Sequence, residues 1–181
     1  MPDSHPNPPR IAASVLVALL FAFAVAPCLA QTDAPRASSA AAASAAQGIR
    51  DATMRFYIAL NSVLRGDLGP METVWSRGAE VSNLSPAGDR ARGWNAVFAY
   101  YKNLSRQSVG GRIAPTDITV VAGINLGYSV CIEEGETRSP EGPMVKYSQR
   151  VTNIFRLEDG KWKLIHHHAD ANSGGVQSIQ R

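Results

Sequence analysis

The sequence has few cysteines, two in 181 residues: Cys28 and Cys131. Cys28 falls in a segment read below as removable, and a single remaining thiol makes no internal disulfide. The domain must therefore be held by its core alone, with Cys131 read as a small buried hydrophobe in a strand. Charge is also sparse. Charged residues make up 18% of the chain, and the basic ones are scattered along it, never clustered. The net charge of +3 thus has no focused patch, and nucleic acid is not an expected partner. No internal repeat is present, which excludes solenoid and propeller architectures.

What is present begins with a long uncharged run. Arg10 is followed by "IAASVLVALLFAFAVA", Ile11 to Ala26, and then by "PCLA" with small residues at Cys28 and Ala30. A charged start, a short apolar centre and a small-residue exit describe a signal peptide over residues 1–30, so a periplasmic or secreted location is expected. An uncleaved anchor, the one membrane contact considered, is the alternative; Pro27 before Cys28 argues against a lipid-modified cysteine. Residues 31–47, "QTDAPRASSAAAASAAQ", carry no large apolar side chain and read as a linker whose alanines could fray into the first helix. The folding unit is expected over residues 48–171, with a flexible tail at 172–181.

Within that unit the period of the apolar residues changes once. Ile49, Phe56, Leu60, Val63 and Leu64 share a helical stripe that "RGDLGP" ends. A short helix follows from Pro70, "AEVSNL" is a strand candidate, and "SPAGDRARG" a loop. "WNAVFAYYKNLSRQ", Trp94 to Gln107, is a further helix. Beyond Gly111, "TDITVVAG", "INLGYSVCIEE", "MVKYSQRVTNIFRLE" and "KWKLIHHHA" are β-rich and bounded by Gly or Pro. On the second of these, Tyr128 shares its parity with Ile124, Leu126, Val130 and Ile132, which predicts a core position. Helices first and hairpin-linked strands after them give an α+β domain, helices on one face of a curved antiparallel sheet.

"LEDGKW" is the sharpest local signal. Asp159-Gly160 between strands suits a two-residue type I′ turn, in which both central residues take positive φ. That register pairs Glu158 with Lys161, Leu157 with Trp162, Phe155 with Leu164, Asn153 with His166 and Val151 with His168. Side chains alternate faces. The core face then carries Leu157, Phe155, Val151, Trp162 and Leu164, and continues into Asn153, Gln149, His166 and His168. His167 falls on the outer face with Arg150, Thr152, Ile154 and Ile165. The inner histidines could be hydrogen-bonded polar residues, ligand contacts, proton carriers or metal ligands. Asp170 shares their parity, but i to i+4 on a strand spans about 13 Å. No metal and no cofactor is expected.

This pattern, ending in "RVTNIFRLEDGKWKLIHHHAD", resembles the nuclear-transport-factor-2-like superfamily, most closely its SnoaL-like polyketide cyclase and ketosteroid-isomerase-like domains. "RGDLGPMETVWS" and "GWNAVFAYY" are similar to that family's first-helix exit and third helix. "DGKW" before a His-x-His strand is also similar to the association domain of calcium/calmodulin-dependent protein kinase II. The resemblance implies a cone-shaped curved antiparallel sheet with three helices on its concave face and an open cavity. Isomerases of this kind use an Asp base, a Tyr and a protonated Asp. The nearest positions here are Asn83, Tyr57 and Asn153, and an amide takes up no proton at useful pH. A general base would then be His166 or His168. Arginines that line the association-domain cavity are matched here by Gly127 and Asn153, which weakens a deep anion site.

The expected function is binding of a small apolar or amphipathic molecule in the cone, with Tyr57, Trp75, Asn83, Trp94, Asn153, His166 and His168 as the pocket. Trp75 and Trp94 could equally be core. Two alternatives stand beside it: an isomerase, cyclase or dehydratase using a cavity histidine as acid/base, and a non-catalytic dimerisation module using the outer sheet face. A homodimer is expected with any of these.

Overall fold

The computed structural model describes residues 33–108, 110–138 and 141–172. Helix α1, Asp33–Val63, starts inside the Ala/Ser-rich stretch read as a linker. Its alanines thus run into the first helix: alanine is the best helix former, and the run needs no burial to extend a helix anchored further on. It buries little, since residues 39–44 are exposed. From Ile49 the helix turns a continuous face inward, with Ile49, Ala52, Thr53, Phe56, Tyr57, Leu60, Val63 and Leu64 buried at three- and four-residue spacing. Gly66, at φ 88°, ends the turn after it. Helix α2, Gly69–Val74, carries Pro in its first turn, where the missing N–H costs nothing.

Strand β1, Ser82–Leu84, makes a hairpin with β2, Arg90–Arg92, where a loop was expected. Helix α3 spans Trp94–Gln107, as the spacing predicts, and buries Val97 and Tyr101. Strands β3, Gly111–Ala122, β4, Leu126–Arg138, β5, Met144–Glu158, and β6, Lys161–Ala171, follow as an antiparallel meander. The sheet runs β2-β1-β6-β5-β4-β3, with β1 parallel to β6. It is curved and unclosed, its helices supply the inner layer, and the fold is α+β. Among the described residues no helix is long and apolar enough to cross a membrane.

Two details of the sheet position everything inside the cone. The Asp159-Gly160 turn has φ 48° and 74°, so the hairpin is the expected one. Its register holds from Glu158↔Lys161 to Phe155↔Leu164, and the next pair is Ile154↔His166. Ile165 is therefore an extra residue, a β-bulge, and every side chain beyond it changes face.

On β4 the inward parity is Gly127, Ser129, Cys131 and Glu133, because these pair with Phe155, Asn153, Val151 and Gln149 of β5. The expectation of a core Tyr128 is corrected. Ile124, Leu126, Tyr128 and Val130 are all exposed, and Cys131 is the buried partner of Val151. Gly127 lets α1 approach: a Cβ there would overlap Ile49 and lie 2.6 Å from the Val121 carbonyl oxygen.

Candidate functional site

One row of polar side chains crosses the concave face of the sheet. Asn83 on β1 is level with His167 on β6, His167 with Asn153 on β5, and Asn153 with Ser129 on β4. All are buried. A polar row at such depth survives only if its members bond one another. His167 Nδ1 and Asn153 Oδ1 are 2.7 Å apart, and Ser129 Oγ accepts from Asn153 Nδ2 at 3.4 Å and from Thr53 Oγ1 of α1 at 2.9 Å. With the Asn153 amide nitrogen turned to Ser129, its oxygen faces the imidazole and can only accept. His167 Nδ1 therefore carries the hydrogen, and Nε2 is left as an acceptor. At the far end Tyr101 of α3 donates its hydroxyl to Asn83 Oδ1 at 3.1 Å, while Asn83 Nδ2 has no partner among the described residues.

Above this row lies a cavity of about 300 Å³ between α1, α3 and the sheet. Phe56, Leu60, Leu104 and Ile113 give it apolar walls, and Asn83, Tyr101, Glu133, Tyr147, Gln149 and His167 its polar groups. Glu133 is 4% exposed, and its Oε2 has no hydrogen-bond partner among the described residues. Burial lifts its pKa to about 7, with the hydroxyls of Tyr57 and Tyr147 pulling the other way. The Tyr57 hydroxyl also lies 3.4 Å from Cys131 Sγ. The Cys131 thiol is itself pushed up to about 11 by burial and stays protonated. His167 is driven the opposite way, to about 3, by burial and by the neighbouring His166 and His168. At neutral pH the cavity thus holds a neutral imidazole and a carboxyl poised between its two forms. A carboxyl so placed can give or take a proton near pH 7.

The structure reverses the expected aim of the histidine triplet. The bulge at Ile165 turns His167 inward, where its ring lies 4.9 Å from Phe56. His166 and His168 go to the outer face. There His166 Nδ1 meets Ser82 Oγ at 2.8 Å, and His168 is exposed. The pairing of Asn153 with His166 is likewise corrected: its partner is His167. Asp170 does not join the histidines, since Arg150 holds it through two nitrogens at 3.1 and 2.6 Å.

Of the other expected pocket residues, Asn83 lines the cavity and Asn153 supports His167 from behind. Tyr57 stands beside Glu133 and Cys131. Trp75 is core, 1% exposed and edge-on to Phe56. Trp94 lies away from the cavity, packed on Phe98 and under the Arg77 guanidinium. Glu133, Tyr101 and Tyr147 were missed. Cys131 held the missing signal for Glu133: a cysteine buried in a strand puts the residue two positions on against the same interior.

The SnoaL-like domain family matches residues 49–170, which contain every group just described. No curated protein matches the chain. Among solved structures, a protein termed a dehydratase of the NTF2-like family from Streptomyces avermitilis is 23% identical, with TM-score 0.64 over 71% of this chain and 97% of that one. An NTF2-like superfamily protein from Salmonella enterica is 14% identical, with TM-score 0.62 over 74% and 92%. A protein from Thiobacillus denitrificans named for its likeness to the calcium/calmodulin-dependent protein kinase type II association domain is 21% identical, with TM-score 0.54 over 66% and 91%. These likenesses are of fold.

Proposed function

Because the chain belongs to the SnoaL-like domain family, whose fold hosts many chemistries, we propose a function from its cavity: it binds a small, largely apolar molecule in the cone and exchanges a proton with it through Glu133. The observation that carries this reading is the buried Glu133 carboxyl on the wall of the cavity, one oxygen without a partner among the described residues, its pKa lifted to about 7 by burial. A group poised near neutrality serves as base in one half-reaction and acid in the other. His167 and Tyr101 then hold the molecule, the first as acceptor and the second as part of the Asn83 pair. Isomerisation and elimination of water are the reaction types that need only such a shuttle. The dehydratase name of the Streptomyces avermitilis neighbour accords with the second.

Native mass spectrometry of protein from its own host tests the reading. A bound organic mass is expected, and in D2O that molecule should gain deuterium with the wild type but not with Glu133→Gln. A protein that emerges empty and draws no compound from a host extract would refute it.

A second reading concerns the outer sheet face. Val121, Leu126, Tyr128 and Val130 are exposed there, beside Ile154 of β5, around an apolar groove of about 400 Å³. The helices all pack on the opposite face, so no described element covers it. A contiguous apolar patch of this kind marks an association site. A second copy of this chain, packed sheet to sheet about a two-fold axis, would bury it in both partners. Tyr128→Glu should lower the mass seen by light scattering; a wild-type monomer would dismiss this reading. Export rests on residues 1–30, which lie outside the described residues. Cell fractionation should find a mature chain lacking them in the periplasm or medium.

A further inference from the structure

We propose that the ligand of the cone cavity is an organic cation, an amine whose ammonium group pairs with Glu133 within a wall of aromatic rings. The proposal rests on the ligand-binding reading above and names its chemical class.

The first argument is the balance of charge. Among the described residues lining the cavity, Glu133 is the sole acidic side chain, and no lysine or arginine joins it. A ligand carboxylate or phosphate would enter a low-dielectric space facing a carboxyl and no counter-ion. An ammonium group supplies the counter-ion that the site lacks. The groups that face Glu133 are Tyr57 from α1, Tyr100 and Tyr101 from α3, Cys131 on its own strand and Tyr147 from β5, with His167 of β6 across the cavity. None of them is a cation at neutral pH: His167 stays neutral because burial holds it near 3.

The second argument is the balance of hydrogen bonds. Glu133 Oε2 is a buried acceptor without a donor among the described residues, and His167, with Nδ1 committed to Asn153, adds Nε2 as a second acceptor. An ammonium group carries three donors and no acceptor. Asn83 Nδ2, a donor in the same cavity without a partner among the described residues, would take a neutral oxygen on the same molecule. The third argument is the wall. Phe56, Tyr100, Tyr101 and Tyr147 all line the space, and aromatic faces attract cations once water is excluded. The field agrees: after burial, the charge of Glu133 is what raises the hydroxyls of Tyr57 and Tyr147, so an anion arriving there meets the same opposition.

Three probes of one shape test this: benzylamine, benzyl alcohol and benzoate, titrated against the full chain by calorimetry at pH 8 and pH 5.5. Benzylamine should bind about tenfold or more tightly than benzyl alcohol at pH 8, the step expected of a charge-assisted bond. Benzoate should not bind. The preference for the amine should fall towards unity at pH 5.5, as Glu133 takes up its proton, and should be absent at both values in Glu133→Gln. The wild-type pH comparison stands even if that variant folds poorly. Benzyl alcohol or benzoate binding as well as benzylamine at pH 8 would overturn the amine class and leave the cavity reading intact. Failure of all three to bind would overturn both.

Discussion

Replacing Glu133 by Gln should make the protein more stable at alkaline pH, an unusual outcome for a change inside a cavity of 16 lining residues. The carboxyl moves from 4.5 in an ordinary setting to about 7 in the fold, chiefly through burial. At 1.36 kcal/mol per tenfold change, that displacement amounts to about 3 kcal/mol. Its sign follows from which state releases the proton first. The unfolded chain gives it up near 4.5, whereas the folded chain keeps it until about 7. Folding is therefore favoured below the lower value, and that advantage is lost as pH rises through the upper one. Glutamine is nearly isosteric and never ionises, so the variant escapes the loss.

His167 acts in the opposite sense. Its pKa falls from 6.5 to about 3, so the stability it contributes is present above 6.5 and lost as pH falls through about 3. Wild type and variant share that term, and it cancels in their difference. Urea denaturation of both proteins at pH 4.5 and pH 8 gives the quantity needed. The variant should gain about 3 kcal/mol relative to wild type between the two values. A difference that does not change with pH would show that Glu133 ionises normally, and the poised carboxyl would have to be abandoned.

Three further outcomes are expected. Gly127→Ala should destabilise the domain by about 1–3 kcal/mol in the same denaturation assay, because its Cβ would press on Ile49 and the Val121 carbonyl where α1 meets β4. Asn153→Asp should raise the pKa of His167 from about 3, because an anion 2.7 Å from Nδ1 favours the imidazolium; NMR titration of the ring reads this directly, and an unmoved value would refute the pairing. Deleting Ile165 should leave the domain folded with its near-ultraviolet circular dichroism signal intact, since regular alternation from Leu164 then still turns His167 and Ala169 inward and His166 and His168 outward; loss of that signal would refute the bulge.

Local chemistry was legible wherever one short segment decides its own conformation. Helix α3 runs from Trp94 to Gln107 as its spacing predicts, and the Asp159-Gly160 turn takes the two positive φ values that its residue types allow. The α+β class and the position of Phe155, Leu164 and Trp162 in the core follow from the same kind of signal. On β4 the sequence carried two incompatible readings. Cys131 as a buried residue and Tyr128, Val130 and Ile132 as core residues have opposite parity, and no local rule chooses between them. The partner strand chose: Val151, Asn153 and Phe155 were already turned inward, and β4 had to match them.

The sequence by itself thus determined the order of the helices and of the four long strands, the hairpin at Asp159-Gly160 and the presence of unusual polar residues in the last strands. Only the tertiary structure decided which of them meet. Because the sheet leaves Ile165 unpaired as a bulge, His167 lies inside and its two neighbours outside, the reverse of the alternation counted straight through the strand. Glu133 became the poised group for a similar reason. Its pKa is set by the helices and strands that close over it, and those come from parts of the chain far from Glu133 itself.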